Sequence, residues 1–176
     1  MGNKLYIDWS TYNDLCEKLI LKIAESGYKI DIIVAIMRGG AIPADQISRT
    51  LKKNTAYLCA KSYSGEKTED IQSKEIVFSR EIATTVKDIQ GNILLVDDLL
   101  DTSRTMKEAV KFLKNHPSLK GKINNIKTAV IWRKPKAADY ACDYMVEDLK
   151  EDTWVVQPFE RGESVLIEDL KKKHKK

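Results

Sequence analysis

Apolar positions along the chain alternate between a helical and an extended rhythm. After Ser10, which reads as an N-cap, Tyr12, Leu15, Cys16, Leu19, Ile20 and Ile23 recur at the spacing of one helix face, and Gly27 closes the pattern. Ile32–Ile36 is an unbroken apolar run, the mark of a strand buried on both faces. Arg38-Gly39-Gly40 interrupts it. A second helix pattern follows through Ile42, Ile47 and Leu51, with Pro43 well placed near its start. Thr55–Cys59 reads as a strand and Ile93–Val96 as another. A helix carrying Met106, Val110 and Leu113 comes next and stops at His116-Pro117. Lys127–Trp132 and Tyr144-Met145-Val146 complete the series. Strands alternating with helices predict an α/β fold, a parallel sheet with helices on both faces.

Two stretches leave this rhythm. Residues 64–90 are polar and mixed in charge, with Ile71, Ile76, Val77 and Phe78 scattered through them, and read as a flexible loop with a hairpin. Residues 152–167, with Trp154, Pro158 and Phe159, read as a small cap or hood built together with the N-terminal Leu5-Tyr6-Ile7. Residues 1–176 otherwise form one domain, since this length suits a single hydrophobic core.

Charge and cysteine content narrow the class. The formal net charge of +4 comes from the end of the chain. Without the five lysines of 171–176 the count of 30 basic residues falls to 25, against 26 acidic. The near-neutral body speaks against a nucleic-acid partner, and the tail reads as a disordered, solvated basic run. Cys16, Cys59 and Cys142 are odd in number and far apart, which argues against a disulfide framework or a zinc site; Cys16 and Cys59 read as small buried hydrophobes. No apolar run has the length of a membrane span, and Met1–Leu5 lacks the apolar stretch of a secretory signal, so a cytoplasmic protein without membrane contact is expected.

The densest chemistry follows the strand at Ile93–Val96. Asp97 and Asp98 end it, Asp101 comes three residues later, and Thr102-Ser103-Arg104-Thr105 opens a helix. Hydroxyl groups and free backbone N–H groups at a helix N-terminus suit a phosphate. The preceding carboxylates suit sugar hydroxyls, or a Mg²⁺ bridged by the ligand. Gly39-Gly40 after the earlier strand lets backbone approach a ligand closely, and Arg38 adds a cation.

The ordered string from Ile93 to Thr105 closely resembles the phosphoribosyl-pyrophosphate (PRPP) motif of type I phosphoribosyltransferases, although that family more often has glycine where Ser103 stands. Arg38–Pro43, Arg133-Lys134-Pro135 and Asp152–Glu160 resemble the purine branch that uses xanthine, guanine and hypoxanthine. The resemblance implies the type I phosphoribosyltransferase fold, transfer of phosphoribose from PRPP to a 6-oxopurine, Mg²⁺ as cofactor and a homo-oligomer, dimer or tetramer. It places Asp97 and Asp98 at the ribose and its metal, and Asp101 at the purine N7. Asp101, Thr102, Ser103, Arg104 and Thr105 would hold the 5′-phosphate. Arg38, Gly39 and Gly40 would form the pyrophosphate loop, which often holds a non-proline cis peptide. Lys134 would meet the 6-oxo group, Trp154 would stack on the base, and the Val155 backbone would read the edge near C2. Ser62 and Tyr63 would sit on the closing loop, and Glu160 would lie near a metal. The alternatives are transfer to another base and a non-catalytic PRPP-sensing regulator.

Overall fold

A computed structural model describes residues 3–63, 75–150, 153–160, 162 and 165–175. The chain runs β1 (Asn3–Tyr6), α1 (Trp9–Glu25), β2 (Ile32–Met37), α2 (Ala41–Leu51), β3 (Asn54–Tyr63), β4 (Glu75–Phe78), β5 (Ala83–Thr84), β6 (Gly91–Val96), β7 (Leu99–Leu100), α3 (Arg104–Asn115), β8 (Ile123–Arg133), β9 (Tyr144–Asp148), β10 (Thr153–Val156) and α4 (Ile167–His174). The main sheet has the order β4-β3-β2-β6-β8-β7, with β5 paired to β3 and β9 to β8. Its centre is parallel as expected, whereas β4 and β5 run antiparallel to β3.

Strand alternation divides the core into two layers. Ile33, Ala35, Leu94, Val96, Ala129 and Ile131 pack against Leu15, Leu19 and Ile23 of α1 and Ala44 and Ile47 of α2. Ile32, Val34, Ile93, Leu95 and Val130 point the other way, onto Met106, Ala109 and Leu113 of α3. Helices therefore cover both faces, and the continuous apolar runs of β2 and β6 follow from that double burial.

The hood is a two-stranded parallel sheet, β1 with β10. The Ile7 N–H extends the pairing to the Val156 carbonyl at 3.0 Å. An aromatic cluster seats it on the main sheet: the Tyr12 ring lies 5.5 Å from Phe159 and 5.9 Å from Trp132, and Trp9 lies 6.3 Å from Phe159. This fixes the end of β10 over the end of β6.

Several sequence expectations need correcting. The N-cap of α1 is Asp8, not Ser10, because its carboxylate takes the Thr11 N–H at 2.8 Å. Gly27 does follow the helix, at φ +68°. Cys59 is exposed, since strand alternation turns Leu58 into the core and Cys59 to the opposite face. Lys171–His174 are the last turn of α4 and so are not a structureless run; the helix buries none of its side chains. Of the stretch 64–90, β4 and β5 pair antiparallel with the preceding strand β3, and residues 64–74 lie outside the described residues. Among the described residues no helix is long and apolar enough to cross a membrane.

Candidate active site

In a parallel sheet a crevice opens where neighbouring strands send their connections to opposite sides. Here that point lies between β2 and β6, which are paired side by side with Ala35 opposite Val96. The segments leaving their carboxyl ends are Met37–Gly40 and Asp97–Thr105, the two stretches singled out by sequence. They are packed without room for side chains at the glycines. A methyl group on Gly40 would collide with the Val96 carbonyl and stand 2.7 Å from the Ile36 carbonyl, and one on Gly39 would collide with the Asp98 carboxylate. The Met37–Arg38 peptide is cis, as the resemblance implies. Arg38, Gly39, Asp98, Phe159, Glu160 and Gly162 line a cavity of about 700 Å³.

Asp97 and Asp98 are half-buried at the floor of the crevice. The backbone of this turn is held on both sides, with the Asp97 N–H on the Ala129 carbonyl at 3.0 Å and the Asp98 carbonyl accepting from Ile131 at 3.0 Å. Burial, and then the neighbouring charge of Asp98, push the Asp97 carboxyl well above the usual carboxylate range. Asp98 Oδ1 accepts from the Leu99 N–H at 2.9 Å, and its Oδ2 accepts from the Gln157 side-chain amide. Sequence reasoning missed Gln157. The signal available was one amide inside the apolar run Thr153–Phe159.

Beyond them the short strand β7 re-enters the sheet beside β8, so Asp101 emerges next to the end of that strand. The Lys134 N–H donates to the Leu100 carbonyl at 2.9 Å, which pins the two segments together. Lys134 Nζ then reaches Asp101 Oδ1 at 2.8 Å, and Lys136 Nζ reaches the same oxygen at 3.3 Å. Partial burial opposes ionisation of Asp101, but the hydrogen bonds and charges of Lys134 and Lys136 outweigh it and hold the carboxyl below the usual range. Thr102, Ser103, Arg104 and Thr105 wrap the N-terminus of α3. Ser103 is buried and makes no side-chain cap to the helix. The first N–H groups of α3 therefore take no side-chain acceptor from it.

Trp154 and Val155 stand on β10 above this corner. Trp154 is 64% exposed, a free aromatic face and not a core side chain, while Val155 is buried. Lys134 is 8% exposed and its Nζ lies 5.9 Å from the centre of the Trp154 ring. The structure thus brings together the N-terminus of α3, Asp101, Lys134 and the exposed Trp154 ring. Ser62 and Tyr63 end β3, with their backbone paired to Ile76 and Glu75. Glu160 turns inward, its Oε2 accepting the Gln157 N–H at 3.0 Å. Among the described residues, no three acidic, His or Cys side chains form a ready metal cluster, so Asp97, Asp98 and Glu160 do not make a cage of their own. Mg²⁺ held chiefly by substrate phosphates, with one or two of these hard oxygen donors beside it, does fit.

A crevice at the switch point, a glycine-paired loop and an acidic turn leading into a helix N-terminus form a site chemically suited to a phosphorylated ligand. The chain belongs to the phosphoribosyl transferase domain family, matched over residues 8–163. It is 28% identical to a xanthine-guanine phosphoribosyltransferase of Vibrio atlanticus, over 99% of this chain and all of the relative. A purine phosphoribosyltransferase structure from Pyrococcus horikoshii is 25% identical with a TM-score of 0.71, covering 90% of this chain and 95% of that one. The xanthine-guanine-hypoxanthine phosphoribosyltransferase of Helicobacter pylori has the same fold, with a TM-score of 0.72 at 21% identity over 97% of this chain and 99% of that one.

Proposed function

We propose that the protein transfers the 5-phosphoribosyl group of PRPP to a 6-oxopurine (hypoxanthine, guanine or xanthine), releasing a purine nucleoside 5′-monophosphate and pyrophosphate. The observation that carries the choice of base is Lys134, which is buried, 2.8 Å from Asp101 and over the edge of the Trp154 platform. A lysine has three donors and no acceptor, so it matches an oxo group and opposes an amino group.

The chain's residues divide the work. The amides and hydroxyls of Thr102–Thr105 hold the 5′-phosphate. The Arg38-Gly39-Gly40 backbone lies along the pyrophosphate, with the Arg38 guanidinium as its cation. Asp97 and Asp98 accept from the ribose hydroxyls and face the positive charge that grows at C1′ as its bond to pyrophosphate breaks. The base stacks on Trp154, offers its C2 edge to the Val155 backbone and its 6-oxo oxygen to Lys134. As N9 bonds to C1′, the N7 proton passes to Asp101, whose low pKa keeps it ionised and ready. Mg²⁺, held by the substrate phosphates with Asp97, Asp98 or Glu160 beside it, would supply positive charge to the leaving pyrophosphate. Ser62 and Tyr63 belong to the segment that closes over the sugar and excludes water. A cytoplasmic homo-oligomer, dimer or tetramer, completes the reading.

The test is incubation of the protein with PRPP, Mg²⁺ and each base in turn. Nucleotide from hypoxanthine, guanine or xanthine supports the reading. Nucleotide from another base points to a different specificity, and no nucleotide at all points to a regulator that only senses PRPP.

A further inference from the structure

We infer that Gln157 is a positioning residue for PRPP, its buried side-chain amide holding the Asp98 carboxylate at the angle the ribose hydroxyls require. The inference rests on the reading of Asp98 as a ribose ligand.

Gln157 follows β10 directly, three residues after Trp154, and is 2% exposed. A primary amide this deeply buried is expensive unless its donors and acceptor are used. Its Nε2 donates to Asp98 Oδ2 and also lies 3.5 Å from Glu160 Oε1. Its own N–H donates to Glu160 Oε2 at 3.0 Å, and its carbonyl accepts the Glu160 N–H at 3.0 Å. The residue is therefore locked to the hood turn through Glu160 and reaches across to the sheet at a single carboxylate. Asp98 is gripped from two sides, Oδ1 by the Leu99 N–H at 2.9 Å and Oδ2 by Gln157, so its rotation about the side chain is fixed. Only one of those grips comes from its own turn. The other is delivered by the hood, the same element that carries the base platform.

One further atom supports this. Gln157 Oε1 is buried with no hydrogen-bond partner among the described residues. Turning the amide over would set this oxygen against the Asp98 and Glu160 carboxylates, so the amide can face them only with its amino group. Gln157 leaves its acceptor unmet and directs its amino group at a carboxylate. Among the described residues, the other buried side-chain atom in that condition is the Tyr12 hydroxyl.

A double-mutant cycle read by PRPP binding calorimetry and by KM tests the assignment. Gln157→Met keeps the length of the side chain and removes the donor. It should weaken PRPP binding and raise its KM by about tenfold or more, the scale of a lost hydrogen bond to a charged group, while KM for the base changes little. In an Asp98→Ala background Gln157→Met should have no further effect on PRPP. Gln157→Glu, which keeps the shape and sets a carboxylate against Asp98 and Glu160, should weaken PRPP at mildly alkaline pH at least as much. An equal penalty from Gln157→Met with and without Asp98 would make Gln157 structural filling and overturn the inference. So would a Gln157→Glu protein that binds PRPP like the wild type. If Asp98→Ala alone leaves PRPP binding intact, the ribose reading of Asp98 falls first, and the inference with it.

Discussion

The Lys134 ammonium lies 2.8 Å from the Asp101 carboxylate, although 33 positions separate them in the chain. The contact exists because β7 returns Leu99 and Leu100 to the edge of β8, so the residues that leave the two strands emerge together. In the proposed complex the N7–C6 edge of the purine would come between them, with its proton toward Asp101 and its oxo oxygen toward Lys134.

Lys134→Ala should lose activity on 6-oxopurines far more than it loses stability. A hydrogen bond to a charged group contributes about 1.5–3 kcal/mol, which corresponds to a fall in kcat/KM of roughly 10- to 150-fold. The variant should also discriminate less between oxo and amino purines. Steady-state kinetics with hypoxanthine, guanine and adenine check this. Full activity on the oxopurines would remove Lys134 from base recognition.

Asp101 gives a pH prediction whose sign is fixed by its two lysines. Its folded-state pKa lies below that of the unfolded chain. The ion pairs therefore stabilise the fold above the unfolded carboxylate pKa, and that stabilisation disappears as pH falls through the folded value. Lys136→Met removes one cation, so the Asp101 pKa should rise toward the ordinary carboxylate value. The acid limb of kcat/KM should move to higher pH by the same interval. Carboxyl carbon NMR of Asp101 reads the first shift and a pH–rate profile the second. An acid limb that stays in place would mean Lys136 does not act on Asp101 during turnover.

Gly40→Ala should be costly, because the new methyl meets backbone and not a side chain that can swing away. The Ile36 carbonyl would stand 2.7 Å from it and the Asp97 Cα 2.9 Å. Overpacking of this kind costs roughly 1–3 kcal/mol, several degrees in Tm for a domain of this size. KM for PRPP should rise with it, since the loop must move away from Asp97. An unchanged Tm and KM would show that the loop has slack.

Truncation of residues 171–176 should leave Tm and kcat unchanged, because α4 buries none of its side chains. Surface changes of this kind stay within about 0.5 kcal/mol. A large fall in Tm on scanning calorimetry would mean that the helix docks on another surface.

Much of this was legible in the sequence because it is local. β2, β6 and α3 announce themselves by continuous or periodic apolar residues, and the acidic turn and the start of α3 lie on one unbroken stretch, Ile93–Thr105. The features that were not legible depend on contacts between distant segments. β7 is two residues long and is defined only by its pairing with β8. The antiparallel β4 and β5 are fixed by β3, not by any pattern of their own. The N-cap of α1 moved to Asp8 because Ser10 and its neighbours themselves coil into the helix. Gln157 acquires meaning only once the aromatic cluster of Tyr12, Trp132 and Phe159 sets the hood over Asp98.

The most direct measurement is kcat/KM for guanine, hypoxanthine, xanthine and adenine at saturating PRPP and Mg²⁺, with the nucleotide product identified. In the proposed complex Lys134 would set a donor against the donors of a 6-amino group, and a site built to bond one group rejects the analogue that lacks it. At least one 6-oxopurine should therefore be converted to its 5′-monophosphate, with a kcat/KM exceeding that of adenine by about 10⁴-fold, a ratio such sites reach. Adenine used as well as or better than all three 6-oxopurines would contradict the account.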